Sequence, residues 1–338
     1  MKEKKVLVTG GAGFIGSNLV DVLAPSNDVT VVDNLSTGSL ENIQRHLDDK
    51  RIRFIKGDIL DLDKMYEVTK NIDLIFHLAV QCVRISLHDP KLVHEVDSTG
   101  TLNICMAGAR NGVKKIIYTS SAEVYGNGKM IPINEDHPLE SNTPYGASKL
   151  SGELYLGVYR RTYGLPSVVL RLFNTYGARE HFEGLYGEVI PRFVVRVMNG
   201  FAPVIFGNGE QTRSFHEVRD TVRAIIMAAE SDDAIGETIN IGGEEEITIK
   251  KLANVIIEIL GKKNRISPEY TDARPGEILR HAADMSKARK LMGFKPEIDL
   301  YDGIKNYIEW INETYGDARE LLKQIDFDWK GIQEEKAA

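Results

Sequence analysis

The chain has 338 residues, 42% hydrophobic and 27% charged, enough for two domains of roughly 150 residues whose core needs no disulfide or metal staple. Forty-two basic against 49 acidic residues leave a net charge of −7, which argues against a nucleic-acid binder resting on a basic face, and no apolar run approaches the ~20 residues of a membrane span. Only Cys82 and Cys105 are present, and neither sits in a CxxC or Cys/His cluster, so no disulfide framework and no metal site are expected.

The charged start, Met1–Lys5, leads straight into a strand pattern instead of the apolar stretch of a secretory leader, so a reduced, cytoplasmic setting is expected. Strand-like runs follow at Lys5–Thr9, Asp28–Asp33, Ile52–Lys56, Ile72–His77, Lys115–Ser120 and Ser167–Leu172. Several are nearly continuous apolar stretches, as in parallel sheets covered on both faces. Helical periodicity fills the gaps, for example at Phe14–Leu23 and Ser98–Asn111. This alternation predicts an α/β fold, a doubly wound parallel sheet of the Rossmann kind. Past Phe173 the pattern loosens into Gly, Pro and aromatic clusters, then regains a helix at Val218–Glu230 and a strand at Glu237–Ile241. The chain should therefore leave the sheet, return, and leave again. Residues 1–173 plus about 215–245 are assigned to a dinucleotide-binding domain, and about 174–214 with 246–330 to a smaller, discontinuous α/β substrate domain. A long amphipathic helix is expected at Leu300–Gln324.

Directly after the first strand stands Gly10-Gly11-Ala12-Gly13-Phe14-Ile15-Gly16, opening the first helix. Glycines there let backbone N–H groups approach a pyrophosphate at a helix N-terminus. Asp33 ends the second strand, 20 residues after Gly13. Its carboxylate can accept from both ribose hydroxyls and would repel a 2′-phosphate, which favours NAD over NADP. Asp58, after the third strand, fits an adenine contact. Gly10, Gly13, Phe14, Ile15, Gly16, Asn34, Ile59, Leu78 and Ala79 complete the expected cofactor set.

Tyr145 and Lys149 lie one helical turn apart in Tyr-Gly-Ala-Ser-Lys. An ammonium beside a phenol, with the positive charge of an oxidised nicotinamide, favours a phenolate and makes Tyr145 a usable base. Upstream, Tyr118-Thr-Ser-Ser-Ala-Glu-Val-Tyr-Gly126 ends a strand in hydroxyls, where a doubly wound sheet places its chemistry. Ser121 can then bind the same substrate hydroxyl as Tyr145.

Taken together, the glycine turn, Asp33, the His77-Leu-Ala turn, the Ser-Ser-Ala-Glu-Val-Tyr-Gly block and the Tyr145/Lys149 pair resemble the extended short-chain dehydrogenase/reductases, and more narrowly their nucleotide-sugar epimerase/dehydratase branch. The resemblance runs on through Arg171-Leu-Phe-Asn-Thr-Tyr-Gly177, Phe206-Gly-Asn-Gly-Glu-Gln-Thr-Arg-Ser-Phe215 and Ala273-Arg-Pro-Gly-Glu277. It implies that Asn174, Arg213 and Arg274 hold a sugar-nucleotide diphosphate, that Phe206 stacks near the base, and that Glu277 meets its ribose. It also implies a homodimer, built from helices near Ser98–Arg110 and Pro144–Thr162.

The implied chemistry starts with oxidation at sugar C4. Tyr145 takes the hydroxyl proton, the C4 hydride passes to NAD, and a 4-keto sugar forms. Ser121-Ala122 resembles UDP-galactose 4-epimerases, and so does the Arg274-Pro-Gly-Glu277 block followed by His281-Ala-Ala-Asp284. Glu123 instead occupies the place of a working glutamate in dehydratases and decarboxylases. Many hexose 4,6-dehydratases carry an aspartate just before it, and here that residue is Ala122. A UDP-hexose 4-epimerase is therefore the first expectation, with a 4,6-dehydratase or related elimination enzyme second. A non-catalytic NAD-binding regulatory protein is a third class, disfavoured by the intact Tyr145/Lys149 pair. One departure concerns Asp97, which stands where most members have an asparagine before Gly100-Thr101.

Overall fold

The structure is a computed structural model and describes residues 1–184, 187–273 and 278–325. Its centre is a seven-stranded sheet made of β1 (Lys5–Thr9), β2 (Asp28–Asp33), β3 (Ile52–Lys56), β4 (Leu74–His77), β5 (Lys115–Ser121), β6 (Ser167–Leu172) and β7 (Thr238–Ile241). All neighbours pair in parallel, in the order β7-β6-β5-β4-β1-β2-β3. The chain builds outward from β1 to β3 and then crosses back to β4. Strand order therefore reverses beside β1, which opens a crevice at the carboxyl ends of the strands. The register pairs Thr9 with His77 and His77 with Tyr118, so the ends of β1, β4 and β5 share one edge.

Helices cover both faces. One apolar cluster joins Val6, Val8, Leu19 and Val31 to Val222, Ile225 and Ala228. It links α1 (Phe14–Leu23) to a helix at Val218–Glu230 that arrives some 200 residues later in the chain. The opposite face packs Leu7, Ile75, Ile116 and Tyr118 against Ile104 and Cys105 of α2 (Thr101–Asn111) and Leu156 of α3 (Pro144–Tyr163). Each fully buried Val or Ile contributes about 1.5–3 kcal/mol, which explains why these runs carry almost no polar residue. A separate cluster gathers Ile190, Phe193, Ile205, Ile256, Tyr307 and Ile311 around short strands and the helices Val189–Met198, Ile249–Ile259 and Leu300–Tyr315. Met285, Ala288 and Phe294, from the segment assigned above to the substrate domain, pack into the first cluster instead.

Three elements differ from the periodicity by more than one residue. The strand expected from Ile72 begins at Leu74; just before it, the Asp73 side chain accepts the Lys5 N–H at 2.9 Å while its own N–H donates to the Lys5 carbonyl at 2.8 Å. The helix expected from Ser98 begins at Thr101, after a π-turn over Glu95–Gly100. The last helix stops at Tyr315, capped by Gly316, and a short turn at Arg319–Leu322 follows.

Candidate active site

The glycine turn lies at the reversal of strand order. Gly10 has φ +71°, and a Cβ there would sit 2.7 Å from the Ala79 backbone nitrogen, so only glycine lets the turn close against the end of β4. Gly13 caps α1, and the helix N-terminus opens toward the crevice. Asp33 ties this turn to β2: its Oδ2 accepts the Ala12 N–H at 3.0 Å and its Oδ1 the Leu35 N–H at 2.8 Å. Burial nevertheless pushes its carboxyl above the usual range. Each oxygen keeps a lone pair for a ribose hydroxyl. Asp58 accepts from the Asn34 amide at 2.9 Å.

Beyond the end of β5, Ser121 caps a 3₁₀ turn over Ala122–Tyr125, accepting the Glu123 N–H at 3.2 Å. The first turn of α3 rests on this segment. Thr143 caps the helix by accepting the Gly146 N–H at 3.1 Å, with Pro144 at its first position. A Cβ on Gly146 would come 2.5 Å from the Glu123 carbonyl oxygen, so glycine is what allows Tyr145 to reach Ser121. The Ser121 hydroxyl faces the Tyr145 phenol across the same cavity and favours its ionised form. Behind them Glu153 and Arg171 form an ion pair, 2.6 Å between Oε2 and Nη2 and under 10% exposed on both sides, which fixes α3 against β6.

Lys149 is 2% exposed, and its Nζ lies 4.4 Å from the centre of the Tyr118 ring. Burial pulls its ammonium down to about 8, while Asp97 and Glu153 hold it up. The Tyr145 phenol stands well above its ordinary range, because of burial first and then the charge of Asp97; the nearby Ser121 hydroxyl opposes this and Glu123 adds to it. Lys149 by itself therefore does not produce a ready phenolate, in keeping with the expectation that a nicotinamide charge acts with it. A further positive charge is needed in the crevice, and an oxidised nicotinamide supplies one.

A cavity of about 340 Å³ runs along the strand ends. Gly10, Gly13, Phe14, Ile15, Gly16, Asp33, Asn34, Asp58, Ile59, Leu78 and Ala79 line it, and so do Ser121, Glu123, Tyr145, Lys149 and Asn174. A second cavity of about 270 Å³ shares Val83, Glu123, Asn174 and Glu188 with the first and holds Phe206 and Arg213. The Arg213 Nη1 is steadied by the carbonyls of Thr212 and Ile278, at 2.8 and 2.7 Å. The side-chain oxygen of Asn174 is buried with no partner in the protein. Turning the amide over would offer its NH₂ to a phosphate. Arg274 and Glu277 lie outside the described residues.

Sequence reasoning passed over several cavity residues. Arg84 and Glu188 form a two-armed ion pair at 2.9–3.0 Å that joins the helix after β4 to the start of the Val189–Met198 helix. Glu180 is 4% exposed and accepts the Gly177 N–H at 3.1 Å; burial first, then the charge of Glu188, keeps its carboxyl well above the carboxylate range. Its one signal was its place three residues after the Asn174–Gly177 block. His281 lines the first cavity and donates from Nε2 to the Ala122 carbonyl at 3.2 Å.

The sequence pattern of the family described as GDP-mannose 4,6 dehydratase matches residues 7–307. A UDP-glucose 4-epimerase of Mycolicibacterium smegmatis is 35% identical over 310 residues, spanning 90% of this chain and 98% of that protein. Among solved structures, a UDP-N-acetylglucosamine 4-epimerase from Methanobrevibacter ruminantium M1, in complex with UDP-N-acetylmuramic acid, superposes with a TM-score of 0.88 at 37% identity, covering 93% and 99% of the two chains. A dTDP-glucose 4,6-dehydratase from Streptomyces venezuelae, solved with NAD bound, superposes with a TM-score of 0.84 at 31% identity, covering 92% and 98%. With the glycine turn, Asp33 and the Ser121/Tyr145/Lys149 group in one crevice, the chain belongs to the GDP-mannose 4,6 dehydratase family of extended short-chain dehydrogenase/reductases, enzymes of nucleotide-sugar epimerisation and dehydration.

Proposed function

We infer that this chain is an NAD-dependent 4-epimerase of a nucleoside-diphosphate sugar, with a UDP-hexose as substrate. One observation carries the reading: Ser121, Tyr145 and Lys149 face the same cavity as the glycine turn and Asp33, next to the cavity that holds Phe206 and Arg213. Bound in the first cavity, NAD would supply a reversible two-electron acceptor for sugar C4. The protein's own part is proton handling and grip. Ser121 holds the 4-hydroxyl, Tyr145 takes its proton, and Lys149 balances the phenolate charge. Arg213 and Asn174, with Arg274, hold the diphosphate while the keto sugar turns, a task suited to groups that grip phosphate and leave the ring free. Phe206 and Glu277 are assigned to the base and its ribose. Tyr145 then returns the proton.

Elimination is the second reading, favoured by Glu123 in the shared wall of both cavities. Its carboxylate could draw a proton from C5, but Ala122 takes the place of the acid that many 4,6-dehydratases use to expel water. Incubation of UDP-sugars in deuterated water separates the readings. Epimerisation leaves mass unchanged and C5 free of deuterium, whereas elimination loses water and draws in solvent deuterium.

We assign the enzyme to the cytoplasm as a homodimer; among the described residues no helix is long and apolar enough to cross a membrane. On α3, Leu154 and Val158 stand 63% and 43% exposed, an apolar pair suited to a second copy. The division proposed is residues 1–173 plus about 215–245 for the cofactor and about 174–214 with 246–330 for the sugar nucleotide, with Met285, Ala288 and Phe294 of the latter packed back onto the sheet.

A further inference from the structure

Asp97 sits in the π-turn Glu95–Gly100, the one irregular turn between the cavity wall and α2. Turns of this kind gather at functional sites, since the extra residue in the turn redirects a side chain inward. Its side chain is 1% exposed. Oδ1 accepts the Gln81 N–H at 2.8 Å, and Oδ2 is buried with no hydrogen-bond partner. An orphaned carboxylate oxygen in an apolar setting is costly, and what offsets it is charge. Burial pushes the Asp97 carboxyl up to about 7, and the charge of Lys149, itself 2% exposed, opposes that rise; Ser98 of the same turn bonds Ser151 of α3 at 2.7 Å, which sets the turn against the part of α3 that carries Lys149.

The surroundings remove the other candidates. His77 of β4 is wired as a neutral ring. The Thr101 hydroxyl donates to the Asp97 carbonyl at 2.6 Å and so must accept from His77 Nε2 at 3.0 Å, leaving Nδ1 to accept from Thr9 at 2.8 Å. Burial and the charge of Lys149 press its basicity down to about 3. Glu153, the other carboxylate acting on Lys149 along α3, is already paired with Arg171. Tyr118 of β5 and the Cys82 thiol are both held in their neutral forms by burial. Glu123 acts on Tyr145 from the end of β5, beside the cavity shared with the second lobe.

We propose that Asp97 is a positioning residue whose buried carboxylate serves as the counter-ion of Lys149 and sets the proton range in which the Tyr145/Lys149 pair works. The proposal rests on Tyr145 and Lys149 being the reactive pair. Asp97 keeps the lysine an ammonium where burial would strip its proton, and its negative charge also makes Tyr145 a weaker acid. Both effects raise proton affinity, so removing the charge must move both titrations the same way.

The test is Asp97→Asn, which preserves shape and the acceptor for Gln81, with Asp97→Ser as a second variant should the first fold poorly. In protein carrying ¹⁵N at the lysine side-chain nitrogen, with Lys149→Met identifying the signal, the Lys149 titration midpoint should fall by about one pH unit or more. This readout needs no sugar, so it decides the proposal even if the assigned reaction is wrong. In turnover, both limbs of the pH–rate profile should slide to lower pH, giving roughly tenfold less activity on the alkaline limb and a comparable gain on the acid limb, with Asp97→Glu restoring the profile. A Lys149 midpoint that stays or rises, or a loss of rate uniform in pH, overturns the proposal.

Discussion

The two halves of the crevice are built by different means. At the cofactor end, the expected residues gather at the carboxyl edge of one regular sheet and on the helices packed against it, and backbone pairing aligns that edge: Thr9, His77 and Tyr118 are neighbours in register. At the nucleotide end, strands are two or three residues long, and side chains such as Arg213 are steadied in part by a carbonyl from a segment 65 residues away. The first half is specified by local periodicity, which a single chain displays openly. The second is specified by contacts between segments far apart in sequence. Rigid placement belongs where bonds are made and broken. Looser, side-chain-built placement suits a handle that must hold one end of a ligand while the other end turns.

This contrast can be broken or sharpened by substitution. The largest effect should come from Tyr145→Phe, with turnover falling about 10²–10⁴-fold while NAD retention is unchanged, because the phenol handles a proton and Asp33 and the glycine turn provide the hold. Asp33→Ala should do the reverse, losing NAD on dilution or gel filtration, since it removes the ribose acceptor and frees the Ala12 and Leu35 N–H groups. Arg213→Ala should raise KM by about 10–100-fold and leave kcat within a few-fold, as expected for a grip used equally in ground and transition states. If kcat fell instead, the nucleotide end would be taking part in the chemical step. Glu123→Gln should change epimerisation by no more than about threefold; a collapse of activity would favour elimination.

The smallest effect concerns stability. His216 is buried with its basicity lowered to about 4 by desolvation, and its Nε2 is bonded to Thr175 at 3.1 Å. A histidine held below its ordinary value of 6.5 stabilises the fold above that pH, and this stabilisation is lost as pH falls toward 4. Denaturant titrations at pH 7.5 and 4.5 should show His216→Gln losing roughly 2 kcal/mol less than the parent over that interval.

The strands β1, β2, β3 and β6 were legible to the residue: β1, β2 and β6 are nearly continuous apolar runs, as buried parallel strands are, and the edge strand β3 is an Ile-Arg-Phe-Ile-Lys run ended by Gly57. The glycine turn, Asp33 and the Tyr145/Lys149 spacing were legible because each is a local arrangement with a physical purpose. The Arg84–Glu188 pair was invisible, since its partners lie 104 residues apart and nothing local marks either one. Glu180 was missed for the same reason: its unusual state comes from burial, a property of the fold. The raised phenol of Tyr145 shows the limit most plainly. Its spacing from Lys149 can be read from the chain, but the opposing charge of Asp97 cannot, because a π-turn brings it there.

The most direct test uses a UDP-hexose carrying deuterium at C4. Reversible oxidation at one carbon predicts an inverted sugar that keeps the label at C4, at full mass and without exchange into water. Label arriving at C6 with loss of water, or label released to solvent, would contradict the account.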